Sequence, residues 1–140
     1  TEAEDWPADF FHERMCRPRA PEPEARELRD AAATLRAAER ALIIAGGGVK
    51  YSGAEAVLAE FAQRHGVPVA ETQAGKGSLP WDHPMNAGAL GVTGSAAANA
   101  LAQDADVILA IGTRLQDFTT GSRALFGRAR LIGLNVMPFD

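Results

Sequence analysis

The sequence predicts an α/β domain, a doubly wound, mostly parallel sheet with helices on both faces. Three observations carry this. Leu42-Ile43-Ile44-Ala45 and Val107 to Ile111 are unbroken apolar runs of strand length, as strands buried on both faces require. Glycine closes these runs, most plainly at Gly46-Gly47-Gly48. Stretches with a helical period lie between them, so strand and helix alternate along the chain.

The elements follow in order. Residues 1–21 read as a linker from a preceding domain: Pro7, Pro18 and Pro21 interrupt helix, and Trp6, Phe10 and Phe11 have no regular period. Those aromatics need cover, from this domain's sheet or from a neighbouring domain, with a strap across an interface preferred. Residues 22–140 form the Rossmann-like domain. A helix runs from Pro23 to about Glu39, with Glu22 and Glu24 near its positive end and Ala25, Leu28, Ala32 and Leu35 on one face. The first strand, the glycine loop and a second helix follow. Ser52-Gly53-Ala54-Glu55 reads as a capping box for that helix, and Ala54, Val57, Leu58 and Phe61 as its apolar face. Gly66 ends it, and Val67 to Glu71 supplies a second strand, parallel to the first through a right-handed crossover. A Gly/Pro-rich stretch from Thr72 to Gly94 contains a short strand near Asn86 to Leu90. An alanine-rich helix from Ser95 to about Gln103 precedes strands at Asp106 to Ile111 and Leu131 to Val136. The chain stops at Asp140, directly after a strand and without a covering helix, so the natural domain is expected to continue.

Composition excludes several classes. The 140 residues are 46% hydrophobic and 23% charged, an ordinary globular balance and enough chain for one core. No apolar run is long enough to cross a bilayer, and the acidic start is no signal peptide. Net charge is −4 with arginines scattered among acids, which leaves no footprint for nucleic acid. Cys16 is the single cysteine; it excludes an internal disulfide, suits a reducing cytoplasm and has no nearby base to make it catalytic.

The chemistry converges on one edge. In a parallel sheet the loops leaving the carboxyl ends of the strands lie together, and here each is glycine-rich: Gly46 to Gly48, Thr72 to Gly77, Gly91 to Gly94 and Gly112 to Arg114. Gly46, Gly47, Gly48, Thr72, Lys76, Gly77, Gly112 and Arg114 are the candidate cofactor-binding residues, with glycine amides and two cations facing a pyrophosphate. The fingerprints are incomplete. Tyr51 stands where a dinucleotide motif wants its third glycine, and Ala70 where a phosphate loop wants its first. Two readings of the triple glycine stay open, a phosphate cradle and a tight strand-to-helix turn with no ligand. His12, His65 and His83 show no metal-ligand spacing, and Ser78 and Ser95 no nucleophile elbow. Helix termination explains Asp104 and Asp106. Asp117 either orients Arg114 or sits in solvent. No catalytic residue is assigned.

Taken as an ordered series, Ile43 to Val49, Ser52-Gly53-Ala54, Gly66 to Val69, Gly75-Lys76-Gly77-Ser78-Leu79-Pro80, Asp82-His83-Pro84 and Ile111 to Arg114 resemble one family. It is the middle domain of thiamine diphosphate-dependent enzymes, the group of acetohydroxyacid synthases and 2-oxoacid decarboxylases. Ala70 to Pro80, Gly112 to Arg123 and the leading Asp5-Trp6-Pro7, Phe10-Phe11 and Arg17-Pro18-Arg19 are similar to the branch that hydrolytically opens a cyclic 1,2-diketone in inositol catabolism. Thr93 stands where synthase-type members carry a histidine.

The resemblance implies a noncatalytic domain, inert alone. Thiamine diphosphate, magnesium and the activating glutamate would belong to flanking pyrimidine- and diphosphate-binding domains of a cytoplasmic homodimer or tetramer, with C–C cleavage and hydrolytic release as the parent reaction. Some members hold FAD or an adenine nucleotide on the glycine-rich edge. Since the resembling branch does no redox chemistry, no such ligand is expected here. Two other readings remain: a flavin-binding domain of an acetolactate synthase-like transferase, and a free-standing nucleotide-binding module.

Overall fold

The computed structural model describes residues 5–15 and 20–137. Five strands form one parallel sheet: β1 (Ala41–Ala45), β2 (Val69–Glu71), β3 (Asn86–Ala89), β4 (Val107–Ile111) and β5 (Arg130–Leu134), in the order β3-β2-β1-β4-β5. The doubly wound prediction holds. β1 is central, and its alternate side chains feed two cores. Leu42 and Ile44 point to one, with Ala98 and Ala102 of helix α4 (Ala96–Asp104); Ile43 and Ala45 point to the other, with Leu58 and Ala62 of helix α3 (Glu55–His65). A run apolar at every position is therefore what this strand needs. Each of those isoleucines is fully buried, and full burial of such a side chain is worth about 1.5–3 kcal/mol.

Helix α1 (Ala25–Arg36) stops short of Glu39 and buries no residue. Leu28, expected on its inner face, is 57% exposed. The chain then crosses to β1 through a knot that spacing alone did not suggest. The Asp106 carboxylate accepts the backbone N–H of Glu39 at 2.8 Å and of Arg40 at 3.0 Å, and Arg40 Nε donates to the Asp104 carbonyl at 2.8 Å. Asp106 thus ties the α1–β1 connection to the start of β4 rather than merely ending a helix. The Glu39 amide, with smaller help from that of Arg40, holds its carboxyl below the usual aspartate range.

The glycine loop is partly helical. Gly47–Tyr51 forms a short helix, α2, between β1 and α3. This corrects the capping box. Ser52 caps α2 at its C-terminal end, where its hydroxyl donates to the carbonyls of Gly48 (2.8 Å) and Val49 (3.1 Å), while Ala54, with no side-chain bond, precedes α3. The buried stripe of α3 is also rotated, through Leu58 and Ala62, leaving Val57 70% exposed. Gly66 does end α3, in the left-handed region at φ 64°. Ser95 caps α4, its hydroxyl accepting the Ala98 amide at 3.1 Å. A one-turn helix, α5 (Asp117–Thr120), opens at Asp117 in the β4–β5 connection.

In the leading segment Ala8–Phe11 is a 3-10 turn, where Phe10 stacks 4.6 Å from Trp6 and meets Phe11 edge-on at 5.4 Å. All three remain more than half exposed, so the sheet does not cover them. Cys16 and Arg17-Pro18-Arg19, and the end of the chain at Asp140, lie outside the described residues. No helix among the described residues is long and apolar enough to cross a membrane.

Candidate functional site

The carboxyl ends of all five strands share one edge, and a crevice of about 1140 Å³ opens there. Its position follows from topology. Strand order reverses between β1 and β4, and the loops leaving those two strands diverge to opposite faces. Of the eight candidate residues, Gly47, Gly48, Thr72, Lys76, Gly112 and Arg114 line it. Gly77 lines a neighbouring cavity instead, and Gly46 is buried beneath.

The glycines meet one another. A Cβ on Gly46 would overlap the Gly112 carbonyl oxygen, and one on Gly48 would lie 2.5 Å from the Gly112 Cα. Gly112 itself has φ 60°, and its Cβ would come within 2.5 Å of the Gly48 Cα. The α2 turn and the loop after β4 therefore touch backbone to backbone. Their amides are engaged as well: Gly46 N–H donates to Ile111 O (2.8 Å), Gly48 N–H to Gly112 O (3.0 Å) and Gly112 N–H to Leu134 O (2.9 Å). An N–H already donating within the fold is not free to hold a phosphate oxygen.

The β2–β3 loop is self-braced. Thr72, buried, accepts the Gly75 amide on its hydroxyl at 3.1 Å, and the Ser78 hydroxyl donates to Gly75 O at 2.6 Å. Lys50, which sequence reading passed over, donates from Nζ to Lys76 O at 3.0 Å and so ties α2 to this loop. Tyr51, 93% exposed, and Phe118 on α5 also line the crevice. The signal for Lys50 and Tyr51 was their place four and five residues after Gly46, visible only once the glycine loop is read as the start of a helix. Lys76 and Arg114 are the cationic residues of the lining, both exposed. On the third glycine loop, Asn99 of α4 brackets Gly91, accepting its N–H at 2.9 Å and donating to its carbonyl at 3.0 Å, and Thr93 lines the crevice. Among the described residues no three His, Cys, Asp or Glu side chains gather as metal ligands.

Known proteins match this chain closely. A relative from Geobacillus thermodenitrificans (strain NG80-2), named 3D-(3,5/4)-trihydroxycyclohexane-1,2-dione hydrolase, is 44% identical over 138 residues, covering 99% of this chain and 22% of the relative. Proteins of the same name from Clostridium tetani (strain Massachusetts / E88) and Bacillus cereus (strain AH820) are 43% and 42% identical over 96% of the chain, which spans 21% of each. The chain thus corresponds to about a fifth of the length of these relatives. Residues 28–140 match the family described as thiamine pyrophosphate enzyme, central domain. With its five-stranded parallel sheet and its glycine-lined carboxyl edge, the chain belongs to the central-domain family of thiamine pyrophosphate enzymes.

Proposed function

We propose that this chain is the noncatalytic central domain of a thiamine diphosphate-dependent enzyme that hydrolytically opens the cyclic diketone trihydroxycyclohexane-1,2-dione in inositol catabolism. The observation that carries the reading is the reach of the likeness. Identity of 44% to a hydrolase of that name extends over 99% of the chain, upstream of the family match and through the leading segment.

Thiamine diphosphate and magnesium are assigned to flanking pyrimidine- and diphosphate-binding domains of a cytoplasmic homodimer or tetramer. This chain's residues do not fit that group, since a metal-bridged diphosphate needs clustered ligands and no three His, Cys, Asp or Glu side chains gather to hold a metal among the described residues. The polypeptide containing this segment is expected to consume the cyclic diketone with thiamine diphosphate and magnesium present, and the 140-residue chain alone to be inactive. Formation of acetolactate from pyruvate, with no ring opening, would replace the hydrolase reading by the synthase one. Activity of the 140-residue chain alone would overturn the noncatalytic assignment.

Gly46, Gly47, Gly48, Thr72, Lys76, Gly112 and Arg114 are proposed as the floor and mouth of a crevice that serves packing rather than a bound FAD or adenine nucleotide, with Gly77 in the wall of the cavity beside it. Three amides that would cradle a phosphate donate to carbonyls instead. A hydrogen bond to a charged group is worth about 1.5–3 kcal/mol, so their loss weakens phosphate affinity by several orders of magnitude. Calorimetric titration with FAD and with ADP should give no saturation below about 1 mM. Micromolar binding abolished by Lys76→Met would return the crevice to the flavin-holding reading.

A further inference from the structure

The second cavity, about 640 Å³, lies beside the crevice between α3 and the β2–β3 loop. It has a different chemistry. Leu79, Pro80 and Trp81 supply apolar wall, and Glu55 and Glu71 supply two carboxylates. Glu71 is unusual in its burial: it ends β2, an inner strand, is 2% exposed, and lines this cavity nonetheless. Acids are almost never so buried unless paired.

Its pairing is half complete. Oε1 accepts the Leu79 amide at 3.0 Å, whereas Oε2 accepts no hydrogen bond among the described residues. Every fully enclosed side-chain polar atom among those residues does have a partner, so Oε2 is an atom that solvent or a ligand reaches. A carboxylate oxygen has room for further donors. Lys76 also lines the cavity but makes no ion pair with Glu55 or Glu71, which leaves the lining net negative. Trp81, 89% exposed, presents an aromatic surface on the wall. A buried acceptor, a second acid and an aromatic face suit a planar cation on an apolar stem: a guanidinium N–H can meet Oε2 while the plane stacks on the indole.

We propose that this cavity binds a guanidinium group, with Glu71 as its principal acceptor, Trp81 as its stacking surface and Glu55 as supporting charge. The site adjoins the glycine-rich crevice, with Lys76 in the wall of both, and does not depend on any nucleotide there.

The test uses the 140-residue chain and N-butylguanidinium as probe, with N-butylurea as a neutral probe of the same shape. In amide and indole NMR spectra, the guanidinium should produce saturable shifts centred on the Leu79 amide and the Trp81 indole N–H, weakened by added salt. Butylurea should produce none at equal concentration. Glu71→Gln should weaken binding roughly tenfold or more. Because Glu71 is buried, Trp81→Ala is the second variant: it removes an exposed side chain, so the fold should persist, and affinity should fall about two- to fivefold. N-acetylarginine amide separates the sources of the group. Binding as tight as butylguanidinium's points to an arginine side chain, and weaker binding to a small molecule. Shifts that do not saturate, that centre elsewhere, that butylurea reproduces, or that survive both substitutions unchanged would overturn the proposal.

Discussion

Replacing Gly112 by alanine should damage the fold far more than the same change at Gly53, although both glycines have left-handed backbones, at φ 60° and 64°. The difference is in what a methyl group meets. At Gly53 nothing lies within 4 Å, so the cost is the left-handed conformation alone, about 1 kcal/mol. At Gly112 the Cβ would lie 2.5, 2.8 and 2.9 Å from the Gly48 Cα, N and C atoms, all backbone and held by a short helix. Overpacking a close-packed site adds about 1–3 kcal/mol, and immovable neighbours favour the upper end. The total is about 3–4 kcal/mol, a large share of the roughly 5–15 kcal/mol of a typical domain. With a urea dependence near 2 kcal/mol/M, the midpoint should fall by about 1.5–2 M for Gly112→Ala and about 0.5 M for Gly53→Ala. Far-UV circular dichroism is the suitable probe, because Trp6 and Trp81 are 65% and 89% exposed and report poorly on the core. Equal midpoint shifts for the two variants would refute the argument, since they would mean that the α2 turn and the β4 loop do not touch.

Asp106→Asn should remove an acid-sensitive part of stability. The folded carboxyl is held below the ordinary aspartate range, so its contribution is complete above the unfolded value, near pH 4, and is lost as pH falls toward the folded one. Urea midpoints across that window should fall more steeply for the native chain than for the variant; parallel slopes would remove Asp106 as the source. Ser95→Ala deletes the acceptor for the Ala98 amide and should cost about 1 kcal/mol in the same urea experiment, whereas an unchanged midpoint would show that the cap contributes nothing.

The sheet was legible because its signal is redundant. Leu42 to Ala45 is apolar at each position, β1 has a core on both sides, and only a central strand with helices on both faces satisfies the two facts together. The Gly47–Tyr51 helix was not legible. Two glycines are poor helix formers, and what puts them there is the approach of Gly112, more than sixty residues away in sequence. Ser52 misled for a related reason: the same hydroxyl that caps the start of one helix can close the end of another, and spacing to Glu55 does not say which. The candidate crevice was half legible. Glycine at a strand end serves an anion or a neighbouring backbone equally well in composition, and only the partners of Gly46, Gly48 and Gly112 distinguish them. The half-paired Glu71 left no mark of its kind, since neither charge nor spacing reveals what a side chain will be buried against.

The centrality of β1 has a consequence during synthesis. It leaves the ribosome first among the strands yet needs two neighbours, and the second, β4, brings with it the Asp106 carboxylate that closes on Arg40, 66 residues upstream. At about 5–20 residues per second, one flank of β1 waits some 3–13 s before its partner exists. During that interval the nascent chain carries an open, apolar edge at Leu42 to Ala45, the kind of surface that invites pairing with another chain.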